Sequence, residues 1–174
     1  LIFSTLGLVL LSPFFWAVAL WIKWNSPGPV FFRQYRVGQG EKLFRIFKFR
    51  TMVTDAETQG GKITYSGDPR ITSAGHFLRR FKLDELPQLI NVVKGEMSLV
   101  GPRPEVPEYV AHYPPLVREK VLSVPPGITD NASLEFRHEN ELLAGKKDVD
   151  RVYREEILPI KLDYYIKYVE NRSF

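Results

Sequence analysis

The chain contains no cysteine. A disulfide framework and a thiolate metal site are therefore both excluded, and a reducing compartment is compatible with the composition. Histidine is nearly as scarce: His76, His112 and His138 are scattered, without the spacing of a metal cluster. No Walker-type loop is present, since "GQGEKLF" at 38–44 is only glycine punctuation. Repeats and low-complexity segments are also missing. With 174 residues, 44% hydrophobic and 25% charged, the chain suits one domain with a real core rather than two.

Charge of either sign is missing from residues 1–22, "LIFSTLGLVLLSPFFWAVALWI". As a helix this run reaches roughly 33 Å, enough to cross a hydrocarbon core. It has no basic leading region and no small-residue cleavage site, which argues against a signal peptide. Trp16, Trp21 and Trp24 crowd its far end, where amphipathic aromatics settle at headgroup level. Lys23, Arg33 and Arg36 follow, which places the C-terminal side in the cytoplasm. Ser12-Pro13 interrupts the run, and proline should kink the helix there. Two readings are open: a kinked span, or a helix that enters, bends and leaves on one side. Length and hydrophobicity alone favour the span, and no second run of that length follows.

Beyond the turn formers of "NSPGPV", the segment 43–52 sets Phe47 and Phe49 against Lys48 and Arg50, a strand-like period or an aromatic-basic strip at a lipid interface. Residues 55–72 read as a polar, glycine-rich loop. The apolar spacing after Ser73 predicts two short helices, and 148–174 a helix broken near Pro159 followed by an amphipathic one. Tyr164, Tyr165 and Tyr168 are expected in the core. The fold expectation is mostly α with few short strands.

The positive charge is uneven. From Arg33 to Arg103 there are 13 Lys/Arg against 7 Asp/Glu, whereas residues 104–174 hold 10 against 13. A field of that sign suits a polyanion such as nucleic acid, anionic lipid or a phosphorylated small molecule. Within it lies "FKLDELPQL", with Asp84 beside Glu85. Pro87 is tolerated only in the opening turn of a helix, so both acids stand at a helix start. The helix dipole there, with Arg79, Arg80 and Lys82 nearby, would hold a carboxylate ionised and its pKa low, as a nucleophile or metal ligand requires. Taken alone, the pair reads equally as an N-cap and a first-turn glutamate. Arg103 lies between two prolines, on a rigid turn suited to bidentate grip of phosphate, or to a salt bridge at a helix end.

The blocks "SPGPVFFRQYRVG", "FKFRTM", "GDPRIT", "FLRRFKLDELPQLINVVKGEMSLVGPRP" and "PPGIT" occur in the order of the bacterial sugar transferase family, which the chain resembles from its hydrophobic segment to about Thr129. These are monotopic phosphoglycosyl transferases that start glycan assembly on a polyprenol phosphate. The resemblance implies transfer of a sugar 1-phosphate from a UDP-sugar to undecaprenyl phosphate, with Mg²⁺, releasing UMP, for exopolysaccharide, O-antigen, capsule or glycoprotein synthesis. Asp84 would be the nucleophile that carries the phosphosugar, and Glu85, with Asp84, would hold the metal. Arg79 and Arg103 would bind phosphate, with Lys48 and Arg50 as further cations. Ser12-Pro13 would make residues 1–24 a re-entrant hairpin, reversing the preference for a span. Residues 25–174 would form an interfacial catalytic domain with amphipathic helices, on the cytoplasmic face of the bacterial inner membrane.

The family's partners would be the UDP-sugar, the polyprenol phosphate and the bilayer, not nucleic acid. Many members follow "PGIT" with Gly-Trp, whereas this chain has "PPGITDNASLEF", which leaves the sugar open. Both ends read as truncated. An alternative from another class is a non-catalytic adaptor whose basic half binds anionic lipid or nucleic acid. Asp148-Val149-Asp150 matches a glycosyltransferase DxD but sits in a charged helical stretch with no strand before it. Asn131-Ala132-Ser133 and Asn171-Arg172-Ser173 are chance matches to a glycosylation pattern.

Overall fold

In the computed structural model, residues 1–59, 63–146 and 148–171 are described. Helix α1, Ile2–Asn25, is one helical element with Pro13 inside it. Pro13 cannot donate to Val9, four residues back, and the Ser12 hydroxyl takes over that carbonyl at 2.7 Å. The most apolar window of α1 is only 11% buried within the protein, far below what a soluble core helix would show. Length and composition would let it cross a membrane.

The polar end of α1 is tied down. Val18 and Ile22 pack with Phe49 and Leu78, and Phe15 meets Phe49 edge-on at 5.2 Å between ring centres. The Asn25 side chain accepts from Ala74 N at 3.1 Å. Strands β1, Phe31–Val37, and β2, Leu43–Phe49, form an antiparallel ribbon with Phe32 opposite Lys48 and Arg36 opposite Phe44. The alternation expected over 43–52 is therefore a strand; β1 was not expected.

The predicted loop holds a short helix α2, Ala56–Gln59, and a bridge between Met52 and Ile71. Asp68 and Arg70, both buried, close it with a bidentate ion pair at 2.6 Å. Two short helices then follow as predicted: α3, Ser73–Arg80, capped by the Thr72 hydroxyl on Gly75 N, and α4, Gln88–Val93. Asn91 of α4 accepts from Phe47 N and donates to Arg45 O, which locks α4 against β2.

Strand β3, Ser98–Val100, follows, then helices α5, Pro107–Val110, and α6, Pro115–Val121. Strand β4, Gly127–Thr129, pairs parallel with β3. The remainder is helical: α7, Asn131–Glu135; α8, Glu139–Leu142; α9, Val149–Val152; and α10, Leu158–Glu170. Regular α-helix stops at Val152, a π-helical turn, Tyr153–Ile157, follows, and α10 starts at Leu158 with Pro159 in its opening turn, so the expected break lies just before Pro159. Tyr165 is buried in the main core with Val110, Tyr153, Leu158 and Leu162. Tyr164 packs at its edge, and Tyr168 donates to Val100 O at 2.9 Å. The Asn171 pattern runs partly outside the described residues. The chain is mostly helical with few short strands, as expected.

Helix α3 lies directly on the chain leaving β2. A Cβ built on Gly75 would stand 2.0 Å from the Thr51 carbonyl oxygen, a backbone atom that cannot step aside. Gly75→Ala is therefore expected to cost about 2 kcal/mol, read as a lower unfolding midpoint. An unchanged midpoint would show that α3 can move off Thr51.

Candidate active site

After α3 the chain reverses at Lys82, whose φ of 56 is left-handed, and enters a 3-10 turn, Leu83–Glu85. Leu86 and Pro87 are right-handed and lead into α4. Asp84 and Glu85 thus stand at a helix start, as Pro87 predicted. They do not cap it. No side chain caps α4 or the 3-10 turn. Asp84 is 8% exposed, and its Oδ1 is buried without a hydrogen-bond partner. Gln88, one turn on, likewise leaves a buried Nε2 unpartnered.

Glu85 is fully engaged. Arg103 grips both its oxygens, with Nη1 to Oε2 at 3.1 Å and Nη2 to Oε1, and Lys48 Nζ reaches Oε1 at 2.7 Å. The two adjacent carboxyls are consequently pushed in opposite directions. Burial raises Asp84 above its ordinary value; Lys48, Arg79 and Lys82 pull it down, Glu85 pushes it up, and burial wins. Burial acts against Glu85 too, but Arg103 and Lys48 outweigh it and hold the group well below its usual range. The expectation of an Asp84 held ionised at low pKa is therefore corrected: that description fits Glu85. Burial also pushes the Lys48 ammonium down, while Glu85 holds the Arg103 guanidinium well up.

Arg79, half-buried, donates its Nε to Thr51 Oγ1 at 2.8 Å, and its charge is felt by Asp84. The structure thus gathers Asp84, Glu85, Lys48, Arg103 and Arg79. It directs Arg50 elsewhere. That guanidinium, 5% exposed, donates to Ser26 O at 2.7 Å, to Ser26 Oγ at 2.9 Å and to Pro27 O, fastening the exit of α1. Ser12 and Pro13 lie within α1.

Asp148 and Asp150 have structural duties. Asp148 caps α9 through Arg151 N at 2.9 Å, and Asp150 accepts from the Tyr109 hydroxyl at 2.7 Å and pairs with Arg154. Sequence reasoning missed Arg36 and Glu105. Arg36 lies in a quoted block and Glu105 directly follows one, but only the contacts of Arg36 with Pro104 O and Glu105 show that it faces the Pro-Arg-Pro turn.

Among the described residues no group of three or more His, Asp or Glu is arranged to hold a metal. Magnesium needs less, since one or two carboxylates suffice when substrate phosphates complete the shell. The orphaned, buried Oδ1 of Asp84 beside Glu85 fits that requirement.

The sequence matches the family described as bacterial sugar transferase over residues 1–174. It is 46% identical over 110 residues to a UDP-N-acetylgalactosamine-undecaprenyl-phosphate N-acetylgalactosaminephosphotransferase of Aeromonas hydrophila, covering 63% of this chain and 26% of that protein. It is 42% identical over 146 residues to the UDP-glucose:undecaprenyl-phosphate glucose-1-phosphate transferase of Escherichia coli, covering 82% of this chain and 32% of the relative. A Bacillus subtilis protein, provisionally named an undecaprenyl-phosphate N-acetylgalactosaminyl 1-phosphate transferase, is 39% identical over 147 residues. There the match covers 84% of this chain and 78% of the relative. The chain thus spans about a third or less of the first two relatives and most of the third. The matched region includes the acidic pair, its two cations and the apolar helix, and the chain belongs to the bacterial sugar transferase family.

Proposed function

We propose that the chain transfers a sugar 1-phosphate from a UDP-sugar to undecaprenyl phosphate at a membrane surface. The observation that carries this reading is the contrast within the acidic pair: Glu85 is locked between two cations, while Asp84 is buried, raised in pKa and unpartnered at Oδ1. A carboxylate without hydrogen bonds is a better nucleophile than one gripped in a bidentate ion pair, and burial withholds the water that would compete.

In the first step an Asp84 carboxylate oxygen attacks the β-phosphorus, the bond from that phosphorus to the α-phosphate oxygen breaks, and UMP leaves with that oxygen. In the second, a phosphate oxygen of undecaprenyl phosphate attacks the same phosphorus and Asp84 departs as carboxylate, leaving a polyprenyl diphosphate sugar. Arg79 and Arg103 would neutralise phosphate oxygens, which is most of what phosphoryl transfer asks of a protein. Bound magnesium, held by Glu85 and Asp84, would supply further neutralisation of the diphosphate. Sequential use of one carboxylate lets a single site serve a soluble nucleotide and a lipid in turn.

The membrane arrangement we propose is a re-entrant α1 with the catalytic part on the cytoplasmic face. A straight span would carry Ser4 about 27 Å from Ile22. Yet Ser4 is 1% exposed, α1 packs on α4, and a Cβ on Gly7 would lie 3.6 Å from Leu89. Both ends of α1 therefore touch the same domain. Beside it, Trp21 stacks edge-on with Phe77 at 5.4 Å and Phe77 meets Phe81 at 4.9 Å, all three solvent-facing, an aromatic rim suited to headgroup depth.

Asp84→Asn should lower UMP release about 10³-fold or more, yet raise thermal stability at pH 7. The sign follows from linkage: a carboxyl whose folded pKa is raised favours folding below its unfolded value of about 4 and loses that contribution as pH rises. The ionised group then opposes the fold, and asparagine removes the charge. Glu85→Gln should do the reverse, costing about 3 kcal/mol at pH 7, a deficit that shrinks as pH falls below about 4. If Asp84→Asn releases UMP like the parent, the nucleophile assignment is wrong. If no common UDP-sugar with Mg²⁺ yields UMP, the non-catalytic adaptor replaces it.

In the metal-free chain the Asp84 carboxyl should titrate above the ordinary aspartate value of about 4, followed by carbon-13 NMR; a titration at or below that value would show that the neighbouring cations, not burial, govern it.

The absence of native cysteine makes topology accessible. Single cysteines at Ile2 and Lys42, probed with an impermeant thiol reagent on sealed vesicles, should label from the same side. Labelling from opposite sides would establish a span.

A further inference from the structure

The Pro-Arg-Pro turn is held from both flanks by polar contacts. On the N-terminal flank, Gly101 N donates to Thr129 O at 3.1 Å and Gly127 N donates to Pro102 O at 2.9 Å. The approach is close: a Cβ on Gly127 would stand 2.1 Å from Gly101 N. On the other flank, Arg36 Nη1 donates to Pro104 O at 3.1 Å and lies 3.7 Å from Glu105 Oε2. Val37 N donates to Glu105 O at 3.0 Å, so β1 holds this flank by main chain and side chain together. Arg36 is in turn braced by Gln34 Oε1 at 2.7 Å.

Glu105 is 6% exposed and is held a second time by the Tyr153 hydroxyl. Lys161 reaches that hydroxyl at 3.5 Å and pairs with Glu139 on α8. A buried pair of this kind is a poor stabiliser, because desolvation offsets most of the attraction and well-packed apolar residues hold a fold as well. What apolar residues cannot do is fix a carbonyl in direction. Pro104 O, the acceptor, belongs to the residue directly after Arg103.

We infer that Arg36 and Glu105 are positioning residues: they set where Arg103 presents its guanidinium to Glu85 and to phosphate, and they act on the reaction only through Arg103. The inference rests on the transferase reading above. A displacement of the guanidinium by about 1 Å is enough to cost on the order of 10²-fold in rate.

The test is a double-mutant cycle on the full chain in membranes, following kcat/KM for UMP release together with thermal midpoints. Arg36→Met and Glu105→Gln should each lose about 10²-fold in an otherwise parental chain. In an Arg103→Met background, each should lose no more than about twofold further, since nothing remains to position. Folded single variants with parental kcat/KM would overturn the inference, as would losses that multiply undiminished in the Arg103→Met background. Should neither variant fold, Tyr153→Phe, which removes one hydroxyl from Glu105, carries the same cycle with a smaller loss and the same criterion. A parent chain that releases no UMP overturns both the reading and the clamp, whereas an active parent with a multiplicative cycle overturns the clamp alone.

Discussion

One carboxylate organises the site. Glu85 is where the ribbon strand carrying Lys48, the turn after α3 and the Pro-Arg-Pro segment meet, through contacts at 2.7 and 3.1 Å and a further bond from Arg103 Nη2. Each of those segments presents a charge that could not be buried alone, and the three-way contact makes burial tolerable for all. It also leaves a surplus. Lys48, Arg103 and Arg79 face two carboxyls, of which only Glu85 is held firmly ionised. The cluster is therefore net positive, a charge that suits a polyanion.

The same contact separates the chemistry of two neighbouring residues. Asp84 and Glu85 are adjacent in sequence and share their burial, yet one is stabilised as an anion and the other is not. Only Glu85 makes hydrogen bonds to Lys48 and Arg103, while Lys48 and Arg79 act on Asp84 through space. When environments push two carboxyls apart in this way, the pair divides into a fixed electrostatic member and a reactive one.

Much of this was legible in sequence. Pro87 located the helix start, the spacing after Ser73 gave both short helices, and the block order named the family. The capping and helix-dipole account of Asp84 failed for a physical reason: local reasoning sees the turn but not the packing that desolvates it, and burial is the larger effect. Arg50 looked equivalent to Lys48 because both are cations two residues apart on one strip; only the path of the chain after α1 decides that Arg50 turns to Ser26 and Pro27. Strands β3 and β4, of three residues each, are too short for any periodicity, and they pair across an intervening stretch of helices.

The links between α1 and the site bear on how a lipid substrate could be met at a fixed height. The end of α1 is bound by Asn25 to the first turn of α3, and its exit is bound by Arg50, which follows β2. Helix α3 ends two residues before the turn that carries Asp84, and β2 carries Lys48. Asp84 and Lys48 are thus each one short, hydrogen-bonded element away from the apolar helix. A flexible linker at this point would let the site drift relative to the bilayer by more than the length of a phosphate. The buried guanidinium of Arg50 bonds Ser26 and Pro27 and so ties the end of β2 to the exit of α1, which fixes the turn carrying Asp84 relative to the apolar helix.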